Sequence, residues 1–166
     1  MQQAIADQLH LIKSEIAHPM RPLSVCLLMG PTGVGKTETV RILAEVILGS
    51  ADQLCRIDMN TLSQAHYSSA ITGAPPGYVG SKENHSLLQA EKIEGSFSRP
   101  GIVLFDEIEK ASQEVLRSLL NIMDYGVLHL PSGTKEISFC NTMVFMTSNV
   151  GAKEFARYQQ KRMTRW

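Results

Sequence analysis

The hydrophobic positions alternate between two periods along the chain. Ile5, Leu9, Ile12 and Ile16 fall at i, i+4, i+7 and i+11, one face of a helix, and Pro19 and Pro22 end it in an irregular link. Val25-Cys26-Leu27-Leu28-Met29 is an unbroken apolar run bounded by Pro22 and Gly30, which predicts a strand buried on both faces of a parallel sheet. Val40, Leu43, Ala44, Ile47 and Leu48 mark a helix stopped by Gly49-Ser50, and Leu54 to Asp58 reads as a second short strand. From Asn60 to Gly80 the chain is richer in Ser, Thr, Gly and Pro and predicts a short helix followed by loop; Leu87 to Ile93 predicts another helix. Pro100-Gly101 introduces Ile102-Val103-Leu104-Phe105 as a third buried strand.

Further on, Ser112 is the expected N-cap of a helix with Glu114 in its first turn. Its apolar face is Val115, Leu116, Leu119, Leu120, Ile122 and Met123. Loose alternation from Gly126 to Phe139 around Pro131-Ser132-Gly133 predicts a hairpin, and Met143 to Met146 a further buried strand. Strands alternating with helices imply an α/β sandwich around a mostly parallel sheet.

Composition narrows the class. The 166 residues are 43% apolar and 19% charged, a soluble globular balance for about one domain. Sixteen basic residues offset sixteen acidic ones, so the basic excess of a nucleic-acid binder is missing apart from a short basic tail. Cys26, Cys55 and Cys140 lie far apart without metal-ligand spacing and read as buried free thiols of a reducing compartment. The amino-terminal residues have no basic leader followed by an apolar stretch, and no apolar run approaches membrane-spanning length. The expected compartment is the cytoplasm, with no membrane partner.

The chemistry is concentrated at strand ends. Gly30-Pro31-Thr32-Gly33-Val34-Gly35-Lys36-Thr37 matches the G-x-x-x-x-G-K-[ST] pattern between a buried strand and an amphipathic helix. Glycines let successive N–H groups point inward at phosphate oxygens, the helix N-terminus adds partial positive charge, and Lys36 reaches the β- and γ-phosphates. The Thr37 hydroxyl suits Mg²⁺, which takes few protein ligands. The third strand ends in Asp106-Glu107. Downstream of such a loop, Asp106 is expected in the Mg²⁺ shell and Glu107 beside the water that attacks the γ-phosphate. Glu109 and Lys110 read as a solvated surface pair. Met143 to Met146 leads to Thr147-Ser148-Asn149, which places Asn149 at a strand's carboxyl end, either near the γ-phosphate and lytic water or as a turn-forming residue.

In this order, the loop, the acid pair and Thr147-Ser148-Asn149 resemble an AAA+ ATPase. Gly73-Ala74-Pro75-Pro76-Gly77-Tyr78-Val79-Gly80 resembles the pore loop in the second ATPase module of Clp-type unfoldases (the ClpA/ClpB class). Arg56-Ile57-Asp58-Met59, Asp106 to Ala111 and Thr147 to Gly151 resemble the same family at the same relative spacing. The resemblance implies a three-layer P-loop NTPase sandwich with a mostly parallel five-stranded sheet over residues 22–152. An N-terminal helix and linker over 1–21 would precede it, and a basic tail over 153–166 would begin the next segment. It implies ATP and Mg²⁺ as cofactors, with nucleotide contacts over Pro31, Thr32, Gly33, Val34, Gly35, Lys36, Thr37 and Glu38. Metal ligation falls to Thr37 and Asp106, and catalysis to Glu107, Asn149 and Lys36. Tyr78 would grip unfolded polypeptide in the channel of a homo-hexameric ring.

The sequence departs from the family pattern at Ser81-Lys82-Glu83-Asn84-His85 and at Val127 and Cys140, where arginines are usual. The family's arginine finger, sensor 2 and helical lid have no counterpart before Trp166, so the resemblance implies a large ATPase subdomain belonging to a longer protein. Two other functions compete with an ATP-driven unfoldase or disaggregase: an ATP-sensing assembly module with little hydrolysis, and a nucleic-acid remodeller. The intact acid pair counts against the first, and zero net charge and the Gly-Tyr-Val-Gly loop against the second.

Overall fold

The computed structural model describes residues 19–62, 88–129 and 136–151. The expected helix over 5–16, the Tyr78 loop with Ser81–His85, the hairpin tip at Pro131–Gly133 and the basic tail lie outside the described residues.

Four strands form the main sheet: β1 (Ser24–Met29), β2 (Cys55–Asp58), β3 (Gly101–Asp106) and β6 (Thr142–Ser148). Their order is β1-β6-β3-β2, with every pairing parallel. The central strands β3 and β6 are buried at every position, as unbroken apolar runs require of strands covered on both faces. The helices are α1 (Lys36–Leu48), the single turn α2 (Met59–Leu62), α3 (Ala90–Glu94) and α4 (Gln113–Tyr125). α1 lays Val40, Ala44 and Leu48 on Leu28, Ile102, Leu104, Met143 and Phe145. α4 lays Val115, Leu119 and Ile122 over the opposite face, where Ile57, Val103, Phe105, Val144 and Met146 meet. Each fully buried aliphatic side chain contributes about 1.5–3 kcal/mol, so the two half-cores clamp the central strands from both sides.

Local signals set the boundaries. The Ser112 hydroxyl accepts from the Val115 N–H and caps α4, and left-handed Gly49 and Gly126 close α1 and α4. Gly101 is required by packing: a Cβ there would lie 1.8 Å from the Ile93 carbonyl oxygen, so α3 can approach the start of β3 only over a bare backbone. The expected hairpin is β4 (Val127–His129) paired antiparallel with β5 (Glu136–Ser138).

Two expectations need correction. Among the described residues the main sheet has four strands, not five. The fifth strand was implied by the family alone, and no other described stretch carries a buried apolar run; β4 and β5 form a separate two-stranded sheet. Nor is β1 buried on both faces: Val25, Leu27 and Met29 are 39%, 44% and 58% exposed. β1 is the sheet's outer strand, and α1 covers only the face carrying Leu28.

Candidate functional site

Because the strands are parallel, their carboxyl ends lie along one edge, and the polar residues that follow β1, β2, β3 and β6 converge there. After β1 the chain curls through Gly33 and Gly35, both at positive φ (82° and 87°), and Gly35 leads into α1. No side chain caps that helix start, which leaves its first N–H groups open to an anion. A Cβ added at Gly33 or Gly35 would meet nothing within 4 Å among the described residues, which leave open space over the loop.

Lys36 is 9% exposed, and its ammonium uses all three donors. Nζ donates to the carbonyls of Gly30 (2.8 Å) and Pro31 (2.9 Å) and to Asn149 Oδ1 (2.9 Å). Because Lys36 can only donate, the oxygen of the Asn149 amide must face it, which turns Nδ2 toward Glu107 Oε1 at 3.3 Å. Asn60, in α2 at the end of β2, donates through Nδ2 to the other oxygen, Oε2, at 2.6 Å. The Glu107 carboxylate is thus held between two amides.

Glu107 itself has φ 59° and ψ 55°, the one described non-glycine residue in the left-handed region. The conformation ends β3 abruptly and turns the chain into a short 3₁₀ segment, Ile108–Lys110. Thr147 supports it. Its buried hydroxyl accepts the Glu107 N–H at 2.9 Å and spends its single proton in a short hydrogen bond to Asp106 Oδ1. Asp106, 5% exposed, also receives the Thr37 hydroxyl at 3.1 Å. Arg56, reaching over from β2, donates to Oδ2 from Nε at 3.1 Å and from a terminal nitrogen at 2.7 Å. Burial of this carboxylate, 95% covered, is compensated by two hydroxyls, Thr37 and Thr147, and by the Arg56 guanidinium.

The structure therefore brings Lys36, Thr37, Asp106, Glu107 and Asn149 together. It turns Glu38 elsewhere: an exposed residue of the first turn of α1, its carboxylate pairs with Arg41 at 2.7 Å. The hydrogen bond from Arg41 holds that carboxyl below the usual glutamate range. Tyr78 lies outside the described residues. Glu109 corrects the surface-pair reading. Its Oε1 accepts the backbone N–H of Asn149 at 3.1 Å. Burial works against its ionisation, but backbone hydrogen bonds, that from the Asn149 N–H among them, hold it below its ordinary value. Cys26 and Cys55 form no disulfide, and burial pushes their thiols up, away from reactivity.

Sequence reasoning missed Asn60, Thr147 and Glu109 and gave Arg56 no role. For Asn60 and Arg56 a signal existed: the strand-end rule applied to β1, β3 and β6 holds equally for Arg56-Ile57-Asp58-Met59-Asn60 at the end of β2.

A glycine-rich anion loop beside a strand-end acid pair, at the carboxyl edge of a parallel sheet, defines a P-loop nucleotide-binding site of the AAA+ kind. The comparison with known proteins agrees: residues 21–165 match the AAA domain (Cdc48 subfamily), and the chain belongs to that family as a Clp-type AAA+ ATPase module. It is 57% identical over 160 residues to the ATP-dependent protease ATP-binding subunit-like protein AmiB of Pseudomonas aeruginosa, covering 96% of this chain and 43% of that protein. Identity to an ATP-dependent protease ATP-binding subunit-like protein of Rhodococcus erythropolis is 50% over 167 residues, 98% of this chain and 47% of that one. Against the chaperone protein ClpB of Chlamydia trachomatis serovar D it is 41% over 162 residues, 97% of this chain and 18% of ClpB. The chain thus spans less than half the length of these relatives. No helix among the described residues is long and apolar enough to cross a membrane.

Proposed function

We propose that the chain is the ATP-binding and ATP-hydrolysing core of an AAA+ protein unfoldase or disaggregase. The observation that carries this reading is the junction at Asn149, whose one amide spans Lys36 of the loop and Glu107 of the acid pair.

In this reading residues 30–37 receive the triphosphate. Lys36 exchanges neutral carbonyl partners for charged phosphate oxygens, which accept its protons more strongly. Thr37 and Asp106 offer the hydroxyl and carboxylate oxygens that Mg²⁺ prefers, already 3.1 Å apart. When bound, the metal supplies charge neutralisation for the transferring phosphoryl group. Arg56 and Thr147 hold the Asp106 carboxylate in orientation throughout. Glu107, once one of its oxygens is free of its amide partners, takes the proton of the attacking water, and the β–γ phosphoanhydride is hydrolysed to ADP and phosphate. Asn149 senses the nucleotide, because a change of partner at Lys36 Nζ changes what its own amide can hold.

In this reading the intact protein is a homo-hexameric ring in the cytoplasm that acts on unfolded polypeptide, with Tyr78 as its pore-loop contact; a polypeptide substrate is supported by relatives named as a protease ATP-binding subunit and a chaperone. Nucleic acid and membrane are not partners in this reading.

The test is a pair of variants in the intact protein. Lys36→Ala weakens nucleotide binding, whereas Glu107→Gln binds nearly as the parent does and loses most turnover. Equal loss of binding in both would contradict the assigned roles.

A further inference from the structure

β3 and β6 stay in register up to Phe105 opposite Met146 and then part. β3 turns away at Glu107, while β6 runs on to Ser148 and Asn149, its Ser148 carbonyl still bonded to the Gly30 N–H on the β1 side. The Asn149 N–H lies beyond the last strand pair and finds no ladder partner. Glu109 supplies one: Oε1 accepts that N–H at 3.1 Å. The 3₁₀ turn that carries Glu109 is fixed at both ends, by Lys110 N–H to the Glu107 carbonyl (2.9 Å) and Ala111 N–H to the Ile108 carbonyl (3.1 Å). Glu109 thus bolts the diverging end of β6 to the turn that follows the acid pair.

The side chain that begins at this bolted backbone has both amide ends engaged, on Lys36 at 2.9 Å and Glu107 at 3.3 Å. An asparagine has two side-chain torsions and little slack, so a backbone shift of about 1 Å breaks one of these bonds. Space-filling alone does not account for an acid here. The second oxygen, Oε2, is buried with no hydrogen-bond partner among the described residues, a cost that a neutral filler would avoid.

We propose that Glu109 is a positioning residue of the nucleotide site: it clamps the Asn149 backbone so that the Asn149 amide spans Lys36 and Glu107, and thereby sets how strongly ATP is distinguished from ADP and how fast Glu107 works. The proposal rests on the nucleotide-site reading above. Glu109 itself touches neither phosphate nor water; it acts through Asn149.

The experiment uses the intact protein, fluorescent ATP and ADP analogues, and steady-state ATPase kinetics. Glu109→Asp keeps the charge but draws the carboxylate back by one methylene. Glu109→Gln keeps the reach and the acceptor oxygen. Glu109→Asp is expected to lower kcat about tenfold, the worth of one hydrogen bond to a charged group, with a smaller change in KM. It is also expected to shrink the ratio of ATP to ADP affinity toward that of Asn149→Ala. Glu109→Gln stays within about threefold of the parent, because the bond survives with a neutral acceptor. The double variant Glu109→Asp/Asn149→Ala is no worse than Asn149→Ala, since the two side chains act as one unit. Multiplying losses in the double variant, or Glu109→Asp matching the parent in both kcat and the affinity ratio, overturns the proposal. So does the reverse order, with Asp tolerated and Gln not. Lys36→Ala serves as the control: if it binds nucleotide like the parent, the site reading itself falls, and that outcome is distinct from the others.

Discussion

Thr147 is where the stability of the fold and the geometry of the site meet, and Thr147→Val tests both. Valine matches threonine in shape but has no hydroxyl, and the side chain is 1% exposed, so no water replaces what is lost. Two groups lose a partner. Among the described residues the Glu107 N–H has no other acceptor, and it belongs to a residue already held at positive φ. Asp106 keeps Thr37 and Arg56 but loses its shortest bond. The unsatisfied Glu107 N–H costs about 1–3 kcal/mol and the bond lost at Asp106, which keeps its other partners, about 1 kcal/mol, so together ~2–4 kcal/mol. Against a domain stability of ~5–15 kcal/mol this is a large fraction. With a urea slope of about 2 kcal/mol per M, the midpoint falls by about 1–2 M. Thr147→Ser is the matched control. It keeps the hydroxyl and deletes one methyl, at about 1 kcal/mol. Urea unfolding followed by far-ultraviolet circular dichroism reads both. If Thr147→Val and Thr147→Ser unfold at the same urea concentration, the hydroxyl bridge carries no energy and the reasoning is wrong.

Other outcomes follow from single residues. Gly101→Ala puts a Cβ 1.8 Å from a backbone oxygen that cannot rotate away and costs about 3 kcal/mol or more. Gly49→Ala, at φ +84° but in open space, costs about 1–2 kcal/mol by the same unfolding assay, and equal costs would discount the α3–β3 contact. Glu109 has its folded-state carboxyl below the unfolded value, so its stabilisation is complete above about pH 4.3, the unperturbed glutamate value, and is lost as pH falls through the folded one. Glu109→Gln therefore flattens the acid limb of a stability–pH curve, and an unchanged limb would count against the hydrogen bonds at that carboxylate. In the intact protein Tyr78→Ala retains basal ATPase activity and loses unfolding of a fluorescent substrate, while Tyr78→Phe retains both; an alanine variant that unfolds normally removes the pore-loop role.

Local order explains how much was legible beforehand. A P-loop is contiguous, and its glycines, lysine and threonine act through backbone conformation and short reach, so residues 30–37 could be read directly. Buried runs at Ile102–Phe105 and Met143–Met146 announce central strands because a strand covered on both faces cannot carry polar side chains. Ser112, Gly49 and Gly126 mark helix ends by their own stereochemistry. All of these are properties of short segments, which the order of residues determines.

What tertiary structure alone decided is pairing across sequence distance. Nothing within Arg56-Ile57-Asp58-Met59-Asn60 says that Arg56 meets Asp106, 50 residues on, or that Asn60 meets Glu107, 47 residues on. Those contacts exist because β2 lies beside β3 in the sheet, a choice made by packing against α1 and α4. Glu109 looked like surface because an acid beside a lysine after a strand is ordinarily solvated. It became part of the site only because β6 outruns β3 and leaves the Asn149 N–H unpaired beside it. The exposure of β1 has the same origin: its apolar run is as continuous as those of β3 and β6, but burial depends on neighbours, and β1 has a strand on one side only among the described residues.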